Sequence, residues 1–135
     1  MASIRKEFPV AAPVERVWDA LRDVGEVHRR LAPGFVTDCR LEAGARVVTF
    51  ANGFVARELI VDVDDAARRI AYSARSERLQ HHNASFEVHE DGPGRCRVVW
   101  RADVLPHEAA AVVGAMMEQG AAAVSKTLGG HSQAA

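Results

Sequence analysis

The chain has 135 residues, of which 48% are hydrophobic and 26% are charged, and its formal net charge is −1. This length fits one domain with one core, and a charge so close to zero gives no electrostatic basis for binding nucleic acid or acidic lipid. No apolar run approaches the ~18 residues of a membrane span, and the first ten residues lack the apolar stretch of a signal peptide. We therefore expect a cytoplasmic protein with no membrane span and no nucleic-acid partner.

The first elements are a strand and two short helices. The segment SIRKEFPV alternates apolar and polar residues and predicts a first strand. Pro13 suits the first turn of a helix, and the apolar face of that helix is formed by Val14, Val17, Trp18 and Leu21. The segment DVGEVHRRLAPG predicts a second short helix that ends at Pro33–Gly34.

A run of strands follows. FVTDCRLE predicts one strand, and ARVVTFANGFVARELIVDV predicts a hairpin whose two-residue turn is Asn52–Gly53. RRIAYSAR predicts the next strand, and HHNASFEVHE pairs with RCRVVWRADV across DGPG. Pro106 ends the last strand, and a long helix is predicted from His107 to Leu128, followed by a disordered tail at 129–135. The order indicates an α+β fold in which the last helix covers an antiparallel sheet.

The inward face of the long helix is made of small and flexible side chains. Its members are Val113, Met116, Met117, Gly120, Val124 and Leu128. Methionine fills irregular apolar spaces, and a glycine leaves a gap. The helix therefore closes over either a hollow or an ordinary core, and the spacing alone leaves both alternatives open.

Strand alternation predicts which side chains face that helix. The inward sets are Cys96, Val98, Trp100, Ala102 and Val104; Ile70, Tyr72 and Ala74; and His82, Ala84, Phe86 and Val88. Tyr72 and His82 are the polar members. They could orient a ligand or move a proton, or they could be hydrogen-bonded core residues.

Several kinds of chemistry lack their motifs. Cys39 and Cys96 make no disulfide framework, and their spacing fits no zinc pattern. His81 and His82 point to opposite faces of a strand and cannot both bind one ion. The sequence contains no G-x-S-x-G and no Gly-rich phosphate loop. We expect no metal and no cofactor.

Taken together, four segments resemble the polyketide cyclase/dehydrase-like branch of the SRPBCC (START-like) superfamily. These are APVERVWDALRDVGEVHRRLAPG, ARVVTFANGFVARELIVDVDDAARRIAYSA, GRCRVVWRADV and the C-terminal helix. The resemblance covers roughly residues 3–128 and implies a single domain with the helix-grip fold. In that fold a curved seven-stranded antiparallel sheet wraps around a long C-terminal helix and leaves a ligand cavity between them. Members include aromatase/cyclases, lipid carriers, hormone sensors and pollen-allergen-type binders.

The resemblance also singles out polar positions. Arg46 and Glu58 match positions where the family pattern often shows Arg and Glu, on the two arms of the first hairpin. With a two-residue turn Glu58 lies opposite Val47 and only diagonal to Arg46, and either the cavity or the exposed face could hold the pair. His28 and Trp18 would lie near the cavity rim, although Trp18 also fits plain core packing.

Three functional hypotheses follow, and binding is favoured because no nucleophile–base pair is visible. In the first, the cavity binds a hydrophobic small molecule (a polyketide, aromatic or lipid-like compound). Its predicted contacts are Tyr72, His82, Phe86, Val98, Trp100, Val113, Met116, Met117 and Gly120, with Arg46, Glu58 and His28 as polar candidates. In the second, a polyketide cyclase/dehydratase or aromatase acts there by positioning and acid–base catalysis through His82 or Tyr72. In the third, the sheet meets a macromolecular partner. A homodimer is compatible with all three.

Overall fold

A computed structural model describes residues 2–133, with side chains described for residues 2–129. One antiparallel sheet has the strand order β1-β7-β6-β5-β4-β3-β2. The strands are β1 (Ala2–Val10), β2 (Val36–Glu42), β3 (Ala45–Phe50), β4 (Val55–Asp64), β5 (Arg69–Arg75), β6 (His81–Glu90) and β7 (Cys96–Leu105). The helices are α1 (Val14–Arg22) and α2 (Ala110–Gln133), with a π-helical turn at Val27–Leu31 and a 3₁₀ turn at His107–Ala109. The predicted α+β helix-grip fold is confirmed.

Both ends of the long helix differ from the predicted range, His107 to Leu128. Pro106 is followed by the 3₁₀ turn, so α2 begins at Ala110 rather than at His107. At the other end α2 continues beyond Leu128 to Gln133. Gly129 packs so closely on the β1–α1 connection that a Cβ at position 129 would lie 3.3 Å from the backbone nitrogen of Ala11. Residues 134–135 of the tail that was predicted to be disordered lie outside the described residues.

Two irregularities bend the sheet. In β4, Ile60 pairs with Tyr72 and Asp62 pairs with Ala71, which leaves Val61 as an extra residue. A second shift in register lies between Val36 and Asp38 on β2. Such bulges bend a strand and increase its twist. The sheet therefore has a concave face, and the side chain of Val61 is left 60% exposed.

Helix α1 closes one end of the curved sheet. The indole Nε1 of Trp18 donates a hydrogen bond to Oδ1 of Asp65 in the β4–β5 turn, at 2.9 Å. Arg22 donates to the same oxygen at 2.8 Å, and Arg68 pairs with Glu15. Because Trp18 is buried in this arrangement, it belongs to the core at the closed end.

Helix α2 lies across the concave face. Its inward face buries Met117, Ala121, Val124 and Leu128. Polar contacts attach it to β1: Lys6 pairs with Glu118 at 2.7 Å, and Ser125 Oγ donates to the carbonyl oxygen of Pro9 at 2.7 Å. Among the described residues, neither helix is long and apolar enough to span a membrane.

Candidate functional site

A cavity of about 110 Å³ remains between the concave face of the sheet and α2. Most of the described residues that line it are aliphatic or aromatic. Four of the lining residues carry ionisable groups and form one row across four neighbouring strands, which we call the polar row: Arg46 on β3, Glu58 on β4, Tyr72 on β5 and His82 on β6. The helix therefore closes over a hollow, the first of the two alternatives that its spacing left open.

The cavity opens at the end of the fold opposite α1. Most of its wall is buried, and the half-buried members mark the rim: Phe35, Phe50, Phe54, Leu79, Val113 and Met116. They come from the loop before β2, the β3–β4 turn, the β5–β6 loop and the first turns of α2. Antiparallel pairing brings these segments to the same end of the sheet.

The β3–β4 turn is one residue longer than predicted. The N–H of Phe50 donates to the carbonyl oxygen of Phe54 at 2.8 Å, so the loop is Ala51–Gly53. Gly53 has φ +88°, in the left-handed region that glycine adopts without steric cost. The prediction that Glu58 lies opposite Val47 was wrong, because Ala51 belongs to the loop and Glu58 pairs directly with Arg46.

Arg46 and Glu58 form a buried ion pair in the cavity wall rather than an exposed pair on the outer face. Arg46 Nε lies 2.8 Å from Glu58 Oε1, and the two side chains are only 5% and 10% exposed. Arg46 Nη1 also donates to the carbonyl oxygen of Val24 at 3.3 Å. Its guanidinium carbon lies 5.2 Å from the ring centroid of Tyr72, within cation–π range. The two charges compensate each other.

Tyr72 is held by Trp100. The indole Nε1 of Trp100 donates to the hydroxyl oxygen of Tyr72 at 3.0 Å, and the indole stacks on Phe86 with 4.4 Å between ring centroids. Burial, and secondarily the charge of Glu58, raise the pKa of Tyr72, so its hydroxyl stays protonated at neutral pH. The described residues offer the hydroxyl hydrogen no acceptor within hydrogen-bonding distance.

His82 is held by the backbone of the neighbouring strand. Its Nδ1 accepts a hydrogen bond from the N–H of Ala74 at 3.0 Å, which places the ring proton of the neutral imidazole on Nε2. Burial lowers the pKa of His82, although the charge of Glu58 opposes the shift. The ring is therefore neutral at pH 7. His81 is exposed on the opposite face of the strand, as alternation requires.

We expect the free energy of unfolding to fall as the pH is lowered below about 6.5, the ordinary pKa of histidine. Between that value and the depressed pKa of folded His82, the unfolded chain binds more protons than the folded one, so stability decreases with falling pH. One such group changes the free energy of unfolding by at most about 1.4 kcal/mol per pH unit. This dependence vanishes below the pKa that His82 has in the folded protein. Urea unfolding between pH 7.5 and 5 measures it. His82→Gln should remove this component and His81→Gln should keep it; a slope unchanged in His82→Gln contradicts the assignment.

Gly120 is where the indole of Trp100 meets the long helix. A Cβ at this position would lie 2.9 Å from two ring carbons of Trp100 and 3.1 Å from Phe35. These distances are too short for any side chain larger than hydrogen. Gly120 therefore leaves the expected gap in the surface of the helix, but the indole of Trp100 occupies this gap. The indole also forms one boundary of the cavity.

Most of the predicted contact residues lie in the cavity wall, and two do not. Those that line it are Arg46, Glu58, Tyr72, His82, Phe86, Trp100, Val113, Met116, Met117 and Gly120. Val98 is fully buried but lies nearer the closed end of β7, in packed core. His28 lies on the π-helical turn, which directs Val27 and Leu31 inward instead. His28 is half-buried beside the wall and accepts a hydrogen bond from Arg29 Nε at 3.3 Å. The role of the lining residues as ligand contacts stays a prediction.

Sequence reasoning missed an aromatic group at the rim. The ring centroids of Phe35 and Phe50 are 5.3 Å apart, and those of Phe50 and Phe54 are 6.0 Å apart. A signal existed, because two residues that directly flank a three-residue hairpin loop share one face of the sheet. The assumption of a two-residue turn concealed it.

The curved sheet, the long helix and the internal cavity between them define a helix-grip protein. The family described as polyketide cyclase / dehydrase and lipid transport matches residues 1–129, and the chain belongs to this family. The resemblance to the polyketide cyclase/dehydrase-like branch of the SRPBCC superfamily is thus confirmed. Among proteins of curated function, none matches the sequence.

Several solved structures share the fold. An uncharacterized protein from Bacillus thuringiensis matches with a TM-score of 0.84 at 15% identity, over 94% of this chain and 98% of its own. Norcoclaurine synthase from Thalictrum flavum matches at 0.69 and 18% identity, over 93% of this chain and 91% of its own. The di-domain ARO/CYC BexL from the BE-7585A biosynthetic pathway matches at 0.77 and 17% identity, over 94% of this chain and 46% of BexL. At these identities the likeness concerns the fold alone.

Proposed function

We propose that the protein binds a hydrophobic small molecule in the cavity between the sheet and α2. The supporting observation is the unfilled space itself, about 110 Å³ with a largely apolar wall. Transfer of apolar surface from water to such a wall is favourable by about 25 cal/mol per Å², and wall atoms that border a void lack packing partners. A ligand would restore those contacts, with the polar row orienting it.

The volume limits the ligand. Pockets for drug-sized ligands measure roughly 300–1,000 Å³, whereas an engineered apolar cavity of about 150 Å³ takes up benzene. The present cavity, at about 110 Å³, is somewhat smaller, so a compound of one aromatic ring fits when the half-buried rim side chains shift slightly. A longer polyketide or lipid-like chain would require the rim side chains to move apart.

Filling the cavity is expected to abolish binding of a small apolar probe such as toluene. Met116 lines the cavity, and Met116→Trp places an indole in the space that the probe needs. Val112→Trp is the matched control on the same helix, because Val112 is 62% exposed. Titration calorimetry should show binding to the wild type and the control but not to Met116→Trp. Unchanged binding in Met116→Trp, or no binding to the wild type, rejects the proposal.

The second candidate is a polyketide cyclase/dehydratase or aromatase that uses the same cavity. The observation that favours it is the row of ionisable groups in a wall largely shielded from water. Its difficulty is that neither predicted proton-transfer residue is a ready base: Tyr72 is neutral, and His82 Nδ1 is engaged by the Ala74 N–H. If His82 transfers a proton, His82→Ala should lower turnover of a cyclising substrate by about 10²-fold or more. Turnover that survives this change excludes His82 as the catalyst.

A further inference from the structure

Two neighbouring side chains of the cavity wall each carry a donor hydrogen for which the described residues offer no acceptor. We infer that Tyr72 Oη–H and His82 Nε2–H together bind one acceptor oxygen of an uncharged ligand. The cavity would then select a small carbonyl compound over a hydrocarbon of the same shape. This inference rests on the proposed function and specifies the chemical class of the ligand.

The direction of the Tyr72 hydroxyl follows from its indole partner. An indole N–H can only donate, so the 3.0 Å contact from Trp100 Nε1 uses the hydroxyl oxygen as acceptor. The Tyr72 hydrogen must therefore point elsewhere. Trp100 cannot easily turn away, because Phe86 stacks on one side of it and the Gly120 backbone lies against its edge.

The direction of the second donor follows from a backbone group. The Ala74 N–H can only donate, and it lies 3.0 Å from His82 Nδ1. Nδ1 is therefore unprotonated, and Nε2 carries the hydrogen. No described residue accepts a hydrogen bond from Nε2. The exchange to the other tautomer would leave two N–H groups facing each other.

The two donors belong to neighbouring rings of one cavity wall, and we place a single acceptor oxygen between them. The rings of Tyr72 and His82 lie on adjacent strands with centroids 5.8 Å apart, and both line the same cavity. A carbonyl oxygen has two lone-pair directions and accepts two hydrogen bonds at about 2.7–3.0 Å. A hydrocarbon in the same place would exclude water and leave both donors unsatisfied, which is unfavourable.

The charges nearby exclude an anionic ligand. The guanidinium of Arg46 is directed to Glu58 Oε1 and to the carbonyl oxygen of Val24, so its charge is already compensated. A ligand carboxylate would meet the carboxylate of Glu58 in a largely desolvated wall, where an unpaired charge is costly. The ligand should therefore carry an acceptor oxygen but no net charge.

The test compares acetophenone with α-methylstyrene, in which CH₂ replaces the carbonyl oxygen, and with benzoate. We expect acetophenone to bind the wild-type protein about 10- to 100-fold more tightly than α-methylstyrene, and benzoate to bind no better than α-methylstyrene. Tyr72→Phe should reduce this preference to a few-fold, whereas His81→Gln, on the outer face, should keep it. A preference that survives in Tyr72→Phe overturns the inference.

Two further readouts keep the inference separate from the proposed function. Equal affinities of the wild type for acetophenone and α-methylstyrene overturn the donor pair but leave hydrophobic binding intact, whereas binding of neither probe rejects both. The second readout needs no ligand and no variant. Nitrogen-15 spectra of the imidazoles should show His82 protonated at Nε2 at pH 7, and protonation at Nδ1 overturns the inference.

Discussion

Replacing Glu58 with alanine is expected to lower the free energy of unfolding by about 3–5 kcal/mol. The change leaves the Arg46 guanidinium buried beside the cavity without its 2.8 Å partner. Its remaining hydrogen bond, to the carbonyl oxygen of Val24, cannot compensate a full charge. Urea unfolding at neutral pH measures the loss.

A matched pair on the outer face provides the control. Arg57 also lies on β4, and its Nε is 2.9 Å from Glu42 Oε1, but these side chains are 45% and 38% exposed. Glu42→Ala should cost no more than about 1 kcal/mol. Removing both buried charges, as Arg46→Met with Glu58→Leu, should recover most of the stability lost in Glu58→Ala. A Glu58→Ala cost as small as that of Glu42→Ala would show that Arg46 finds water when its partner is removed.

Trp100→Ala should destabilise the protein by about 3–5 kcal/mol and at the same time enlarge the cavity. The indole stacks on Phe86 and packs against Gly120, so its removal joins the space that it fills to the existing hollow. Naphthalene, which is too large for the wild-type cavity, should then bind. At a free concentration of 100 times its Kd it should restore about 2.7 kcal/mol, seen as a higher Tm.

The control for this prediction is the next residue along β7. Arg101 points to the outer face, with a side chain that is 48% exposed, and Arg101→Ala should change stability by no more than about 1 kcal/mol. It should also leave the protein unable to bind naphthalene. If Trp100→Ala folds but naphthalene does not raise its Tm, the indole is not the boundary of the cavity.

The sequence predicted those features that depend on local periodicity. Alternation along β5 and β6 placed Tyr72 and His82 inward, because side-chain direction in a strand follows from position alone. The Asn–Gly pair located the β3–β4 turn, but loop length depends on how the whole hairpin closes. Because Ala51 belongs to the loop, the pairing register of β3 and β4 differs by one residue from the predicted one. A shift of one residue decides which face of the sheet a side chain occupies. The burial of Arg46 and Glu58 was therefore undetermined.

Other features depend on contacts between distant residues. The sequence shows a glycine at position 120, but only the fold brings Trp100 against it. It shows a histidine at position 82, but the tautomer depends on the Ala74 N–H of the adjacent strand. For the same reason Val98 could not be separated from Trp100, since both have inward parity. Val98 is nearer the closed end of the sheet and lies in packed core, whereas Trp100 is farther from it and lies in the cavity wall.

Among the described residues, the half-buried side chains of the cavity wall all lie at the end opposite α1, so we expect a ligand to enter and leave there. Trp18 and Arg22 are hydrogen-bonded to Asp65 at the α1 end, whereas the rim consists of Phe35, Phe50, Phe54, Leu79 and the first turns of α2. The dissociation rate of a complex would then be governed by the rim side chains. The preference for one ligand over another would be governed by Tyr72 and His82, which lie deeper in the cavity. Exchange rate and selectivity should thus respond to separate substitutions.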